Sequence, residues 1–333
     1  MRHPPPALPA PSSLAVAELP TRERIRANRG ASKADETKRA LTKNWATFQA
    51  WCVRVQLPAL PARPEAVEAY LVYLADDHPV HDRAGRVIRS GLRPASVLQA
   101  LWAINQMHRL AGQPEPGADA LVRTAMAGIR RRKVHRPKQQ APLTIDELAQ
   151  VPFPSTLRGI RDKALLLVGF AACLRRSELV ALQAEDIAPT RHGLRLYIRQ
   201  SKTDTLGHGA WVELVRATRH PDACPVAALH AWLAAAPTAT GPIFRSLTRN
   251  ATQPRPDALS PVAVDRLAKW AAASLGLDRS LYGGHSLRAG SATYLARLNK
   301  PPTLVAKHGR WQSLDMVLRY YRDETAAGLA DAY

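Results

Sequence analysis

Residues 283–322 read GGHSLRAGSATYLARLNKPPTLVAKHGRWQSLDMVLRYYR, and the order of residue types in this stretch decides how the chain is read. His285 and Arg288 open a predicted helix after Gly283-Gly284, one turn apart, so their side chains share a face. The N-terminus of that helix favours a nearby anion. Gly309-Arg310-Trp311 follows, and Arg319-Tyr320-Tyr321-Arg322 closes the stretch. Far upstream lies Leu174-Arg175-Arg176-Ser177-Glu178-Leu179. Two arginines, a histidine and a tyrosine describe a pocket that grips one phosphate and attacks it with a phenol. No step of that chemistry needs a metal or a nucleotide cofactor, so none is expected.

Each piece has a bland reading beside the chemical one. His-x-x-Arg occurs twice, and the copy at His192 and Arg195 falls at the start of a predicted strand, where it reads as coincidence. Arg175 sits at the edge of an apolar helix, where a charge must find a partner. Either it pairs structurally with Glu178, or Glu178 orients it while the guanidinium forks onto a phosphate. Arg176 is the rival for that role. Lys202, in a Ser-Lys-Thr turn, is either solvated or placed to protonate a departing alkoxide. A tyrosine has an ordinary pKa of about 10. Arginines and a lysine beside Tyr320 are expected to favour its phenolate.

Leu194–Arg199 and Trp211–Val215 alternate in polarity as strands do, with the polar turn SKTDTLGHG between them. Helices are predicted around that hairpin at 144–150, 158–172, 176–184, 222–235, 260–275, 286–298, 302–308 and 313–321. Towards the N-terminus a helix over 33–56 places Leu41, Trp45, Phe48 and Cys52 on one face. Pro64 and Pro94 open two more, the second stopped by Gly112, and a fourth covers roughly 118–132. The fold class is therefore mainly α with a small antiparallel β-sheet. The expected domains are a flexible arm over 1–30, a helical domain over 31–132, a basic linker over 133–142 and a second domain over 143–333.

The chain has 333 residues, 47 of them lysine or arginine and 27 acidic, a formal charge of +20. Residues 1–142 hold 23 basic and 11 acidic residues, and residues 143–333 hold 24 and 16, so both halves are basic. That balance points to a polyanion, most simply nucleic acid. Arg130, Arg131, Arg132, Lys133, Arg136 and Lys138 form a run suited to a phosphate backbone. Three scattered cysteines without Cys-x-x-Cys spacing argue against a disulfide framework or zinc knuckle and fit a reducing cytosol. No apolar run is long enough to span a membrane.

Taken in order, Leu174-Arg175 with Glu178-Leu179, Lys202 in a turn, His285-x-x-Arg288, Gly-x-Trp311 and a tyrosine nine residues beyond resemble the tyrosine recombinases, or phage integrases, most closely their Cre-like branch. The resemblance covers roughly residues 143–333. The helical N-terminal domain is similar in kind to the family's SAM-like core-binding domain. By this match Arg175 and Arg288 are the phosphate-binding arginines, oriented with the help of Glu178. Lys202 is the general acid, His285 assists as base, Trp311 packs and hydrogen-bonds through its indole N–H, and Tyr320 rather than Tyr321 is the nucleophile. The family implies cleavage of double-stranded DNA at an inverted-repeat site through a 3′-phosphotyrosine, without metal or ATP. It further implies a homotetramer, a Holliday-junction intermediate, two domains closing around the duplex, and a place in the prokaryotic cytosol or nucleoid. Ala172-Cys173 replaces the common Thr-Gly, and Arg176 replaces a usual apolar residue. Relaxation of a single duplex by the same chemistry, as in a type IB topoisomerase, and a catalytically inactive DNA-binding protein are the alternatives. The first is separated by assaying strand exchange between two sites. The second is disfavoured because every expected catalytic residue type is present. A metal-dependent transposase would need clustered carboxylates, which the sequence lacks.

Overall fold

A computed structural model describes residues 35–82, 84–134, 139–201, 204 and 208–321. The chain divides into two compact units, Met1–Pro137 and Lys138–Tyr333. The arm over 1–30, Arg136 and Lys138 of the basic run, and Lys202 lie outside the described residues.

Among the described residues the first unit is built on four α-helices, α1 (Asp35–Arg54), α2 (Pro64–Asp76), α3 (Pro94–Leu110) and α4 (Ala120–Arg132). Pro64 and Pro94 occupy the first helical position, where a missing N–H costs nothing and φ is already set. Gly112, at φ +69, follows the end of α3. Asp119 caps α4 by accepting the Leu121 N–H at 2.8 Å. The core is aromatic: Tyr70 lies 4.9 Å from Phe48 and 5.2 Å from Trp51, ring centre to ring centre. His108 is wholly buried and fully engaged, accepting from the Ala62 N–H at 2.9 Å and donating to the Ile104 carbonyl at 2.8 Å. Between α2 and α3 stands a two-stranded ribbon, β1 (Pro79–His81) with β2 (Val87–Ser90), which the sequence reading did not foresee. Every residue of β2 is exposed, so no inside–outside alternation marks it.

The second unit packs around α6 (Leu157–Ala171), whose run from Ala164 to Phe170 is buried without a break. Its neighbours in chain order are α5 (Ile145–Gln150) and α7 (Arg176–Ala181). Then come β3 (Ile187–Thr190), β4 (Gly193–Ile198) and β5 (Ala210–Val215), joined as one antiparallel sheet in that order. Leu194, Leu196 and Ile198 point inward, as do Val212 and Leu214 opposite them. The expected hairpin thus gains a third strand. Helix α8 (Pro225–Ala235) starts at its proline, and the preceding Pro221–Ala223 is a separate 3₁₀ turn instead of a first helical turn. A second short ribbon, β6 (Arg245–Leu247) with β7 (Pro254–Ala258), precedes α9 (Pro261–Ser274). The unit closes with α10 (Ser286–Arg297), α11 (Pro302–Gly309) and α12 (Leu314–Leu318). Two helices end earlier than expected: α7 stops at Ala181, and α12 gives way to a 3₁₀ turn at Arg319–Tyr321. Among the described residues no helix is long and apolar enough to cross a membrane.

Helix α10 carries His285 at its N-cap and is pressed against the segment entering the unit. The Leu143 N–H donates to the Ser286 carbonyl at 3.0 Å. A Cβ on Gly290 would stand 2.0 Å from the Leu143 carbonyl oxygen, so only glycine allows this approach. Gly290→Ala should therefore destabilise the second unit by about 1–3 kcal/mol. Thermal denaturation followed by circular dichroism measures this, and a parent-like melting curve would refute the close contact.

Candidate active site

The site grows from one buried carboxylate. Glu178 is the third residue of α7 and accepts the Arg175 backbone N–H at 3.0 Å, closing the helix start. Its Oε1 meets Arg175 Nη1 at 2.6 Å and the Ser201 hydroxyl at 2.9 Å. Its Oε2 meets Arg310 Nη2 at 2.8 Å. Burial pushes this carboxyl up, but Arg310 and the contacts with Arg175 prevail and leave it below the ordinary glutamate value. It is therefore an anion held between two guanidiniums. Arg175 rather than Arg176 makes this pair, and Arg176 is exposed.

Arg288, in the first turn of α10, is buried to 1% exposure. Its Nη1 donates to the Cys173 carbonyl at 2.7 Å and its Nη2 to the Gly309 carbonyl. Its guanidinium carbon lies 4.1 Å from the centre of the Trp311 ring, a cation–π contact. Among the described residues no carboxylate comes within ion-pair distance of it. Burial first, then the charges of Arg175 and Arg310, lower its pKa from the ordinary arginine value. Sharp turns present the carbonyls it uses: Cys173 at φ 51 and Arg310, just after Gly309, at φ 57. Left-handed backbone at a non-glycine residue costs of order 1–2 kcal/mol. Gly309 is obligatory for a different reason, since a Cβ there would stand 1.8 Å from the Trp311 ring.

The Tyr320 ring lies 5.7 Å from that of Trp311, on the 3₁₀ turn that ends α12. Tyr321 turns elsewhere, and its hydroxyl donates to the Lys300 carbonyl at 2.5 Å. Tyr320 is half-buried, and burial raises its phenol pKa above the ordinary value, the charges of Arg288 and Arg319 offsetting only part. The expected preference for the phenolate is thus reversed in the DNA-free protein: desolvation outweighs the nearby cations. His285, at the N-cap of α10, has much of its surface open. Even so, desolvation of its ring, then the charges of Arg288 and Arg175, hold the imidazole below its ordinary value.

The chain of contacts runs from Arg175 through Glu178 to the Arg310 side chain, then along the backbone of Gly309-Arg310-Trp311 to Arg288 and Tyr320, with His285 inside the field of Arg288 and Arg175. Trp311 joins through its ring face. Arg130, Arg131 and Arg132 are exposed at the end of α4 in the first unit. There Arg132 pairs with Asp76 at 2.9 Å, and Lys133 with Asp76 at 3.3 Å and with the Ala75 carbonyl. Sequence reasoning missed Ser201 and Arg310. Ser201 carries no motif, but Arg310 had a signal, being a charged residue just after glycine in the helix-ending Gly309-Arg310-Trp311. A cavity of about 300 Å³ opens beside them, walled by Ser201, Asp204, Arg310 and Trp311. A larger cavity of about 710 Å³, lined by Phe170, Tyr294 and Leu298 among others, includes none of the side chains of this chain of contacts. Among the described residues no group of three or more His, Cys, Asp or Glu could hold a metal ion.

Residues 142–327 match the model of the phage integrase family. The chain is 36% identical over 295 residues to an integrase/recombinase xerD homolog of Selenomonas ruminantium, across 87% of this chain and 82% of the relative. It is 26% identical over 304 residues to the recombinase cre of Escherichia phage P1, across 85% of this chain and 82% of the relative. In fold it is similar to the Tn1549 transposon integrase solved in complex with transposon right end DNA. The TM-score is 0.56 at 14% identity, over 93% of this chain and 97% of that one.

Breaking a buried ion pair from one side leaves an uncompensated charge, which costs about 3–5 kcal/mol. Glu178→Gln should cost that order of stability at neutral pH. Because the folded carboxyl pKa is depressed, its contribution is complete above the unfolded glutamate value of about 4.3 and is lost as pH falls through the folded value. The gap between Glu178→Gln and parent should therefore shrink below about pH 4 in urea titrations. A gap independent of pH would contradict the charged state of Glu178.

Proposed function

Given that the chain belongs to the phage integrase family, we propose that it is a site-specific recombinase whose catalytic unit cuts double-stranded DNA with Tyr320 and rejoins it to another end. Arg175 and Arg288 hold the non-bridging oxygens of the scissile phosphate. Tyr320 Oη attacks phosphorus, the bond from phosphorus to the 5′-oxygen breaks, and a 3′-phosphotyrosyl ester forms. His285 takes the phenol proton and Lys202 supplies one to the departing 5′-oxygen. The 5′-hydroxyl of a second strand reverses these steps. The ester retains the bond energy, so neither ATP nor a metal enters.

The observation that carries this reading is Arg288, a buried guanidinium without a carboxylate partner among the described residues, in ring contact with Trp311, whose ring also packs against Tyr320. Such a charge is completed by an anion, and a phosphodiester supplies it beside a nucleophile. The proton logic agrees. Tyr320 holds its proton when no DNA is present, and His285 is held in the form that can accept one. Around the chemistry we propose four protomers on two inverted-repeat sites, exchanging strands through a Holliday junction. In this reading residues 31–132 form the core-binding domain and 143–333 the catalytic domain. Arg130, Arg131, Arg132, Lys133, Arg136 and Lys138 would follow the phosphate backbone between them.

Covalent capture tests the nucleophile. The protein is incubated with a library of random-sequence duplexes and denatured, and the DNA that stays attached is sequenced. Tyr320→Phe should abolish capture while leaving DNA binding intact, and Tyr321→Phe should capture as the parent does. The reverse result would move the nucleophile by one residue. The pH profile tests the base. If His285 works in its neutral form with a depressed pKa in the free protein, the second-order rate of cleavage at limiting protein should fall only below about pH 6.5, the ordinary histidine value. An acid limb centred above that value would remove His285 from the role.

A further inference from the structure

We propose that Arg310 is a positioning residue for this reaction, acting through Glu178 to keep Arg175 open towards the scissile phosphate. The proposal rests on the role given to Arg175 above. An arginine meets a carboxylate best as a fork on a fork, two parallel N–H donors on two oxygens. Arg175 is near enough to Glu178 for this, with Nη1 2.6 Å from Oε1. The second oxygen is already occupied. Arg310 Nη2 stands 2.8 Å from Oε2, which also accepts the Arg175 backbone N–H at 3.0 Å. Arg175 therefore touches Glu178 with one side-chain nitrogen only. That same nitrogen lies 2.7 Å from the Ser201 hydroxyl. Its Nε and Nη2 have no partner among the described residues and stay available to a phosphate.

Charge points the same way. Arg175 and Glu178 together sum to zero, which attracts no anion. Arg310 adds one positive charge at the far oxygen and returns the cluster to a net cation. Backbone conformation supports a purpose for this side chain. Arg310 ends α11 at φ 57 and ψ 45, a left-handed turn that glycine adopts more readily, and its side chain is only 13% exposed. Glycine would close the helix with less strain. The arginine is there for what its guanidinium holds, and that is Glu178.

The test uses Arg310→Gly, Arg310→Lys, Glu178→Gln and the double variant Arg310→Gly with Glu178→Gln. Single-turnover cleavage is measured on a duplex recovered by covalent capture, and DNA affinity is measured separately. Arg310→Gly should slow cleavage by about tenfold or more while affinity stays within about twofold, as expected of an interaction used in the transition state. Arg310→Lys should recover part of the rate. In the Glu178→Gln background, Arg310→Gly should cost less than about twofold, because the two side chains act as one unit. A purely structural role would instead lower melting temperature and rate together, with Arg175 unmoved. A crystal structure of Arg310→Gly should show Arg175 turned onto both oxygens of Glu178. Parent-like cleavage, full additivity, or an unmoved single contact between Arg175 and Glu178 would overturn the proposal. Absence of any covalent capture by the parent would instead sink the reading of Tyr320, and the crystallographic comparison would still decide on Arg310.

Discussion

The site depends on charging Arg288 inside the protein. Removing a guanidinium from water costs several kcal/mol, and a carboxylate partner is the usual remedy. Here two backbone carbonyls and the face of Trp311 take that place. Carbonyl dipoles and a ring quadrupole stabilise the cation without cancelling it. In the proposed function, the remaining positive potential receives the scissile phosphate. Two left-handed turns, at Cys173 and Arg310, bring the required backbone into place. The strain of these turns and the buried charge of Arg288 belong to one arrangement.

Glu178 organises the other half. One carboxylate closes the start of α7, holds Arg175 and takes Arg310, with Ser201 as a fourth contact. The two arginines assigned to phosphate thus sit in different environments. Arg288 is buried, while Arg175 keeps part of its side chain at the surface. Tyr320 and His285 are likewise pushed apart, the phenol upward and the imidazole downward. In the proposed reaction, Tyr320 keeps its proton until the phosphate and the base are both present. The nearby cations do not make Tyr320 a phenolate in advance, because burial of the ring outweighs them.

Much of this was legible in the residues. Pro64 and Pro94 start their helices for a local steric reason, and the period-two pattern of Leu194–Ile198 marks a half-buried strand. Both signals need only neighbours in sequence. The misses have an equally local cause. β2 is exposed throughout, β7 contains prolines at 254 and 256, and β3 has a proline at 189, so none carries a strand pattern. Prolines are tolerated there because each strand lies at an edge, a fact of pairing and not of composition.

The order and spacing of Arg175, Glu178, His285, Arg288, Trp311 and Tyr320 were sufficient to place this chain in its family, because chemistry constrains residue type and chain distance strongly. The resemblance to that family also favoured Tyr320 over Tyr321. What only the folded chain decided were contacts between distant segments. Arg310 reaches Glu178 across more than a hundred residues of chain, the carbonyls of Cys173 and Gly309 converge on one guanidinium, and Tyr321 is turned away to Lys300. Backbone carbonyls carry no sequence signature, and the sign of a pKa shift depends on how much water a fold excludes. Those quantities exist only once the helices have packed.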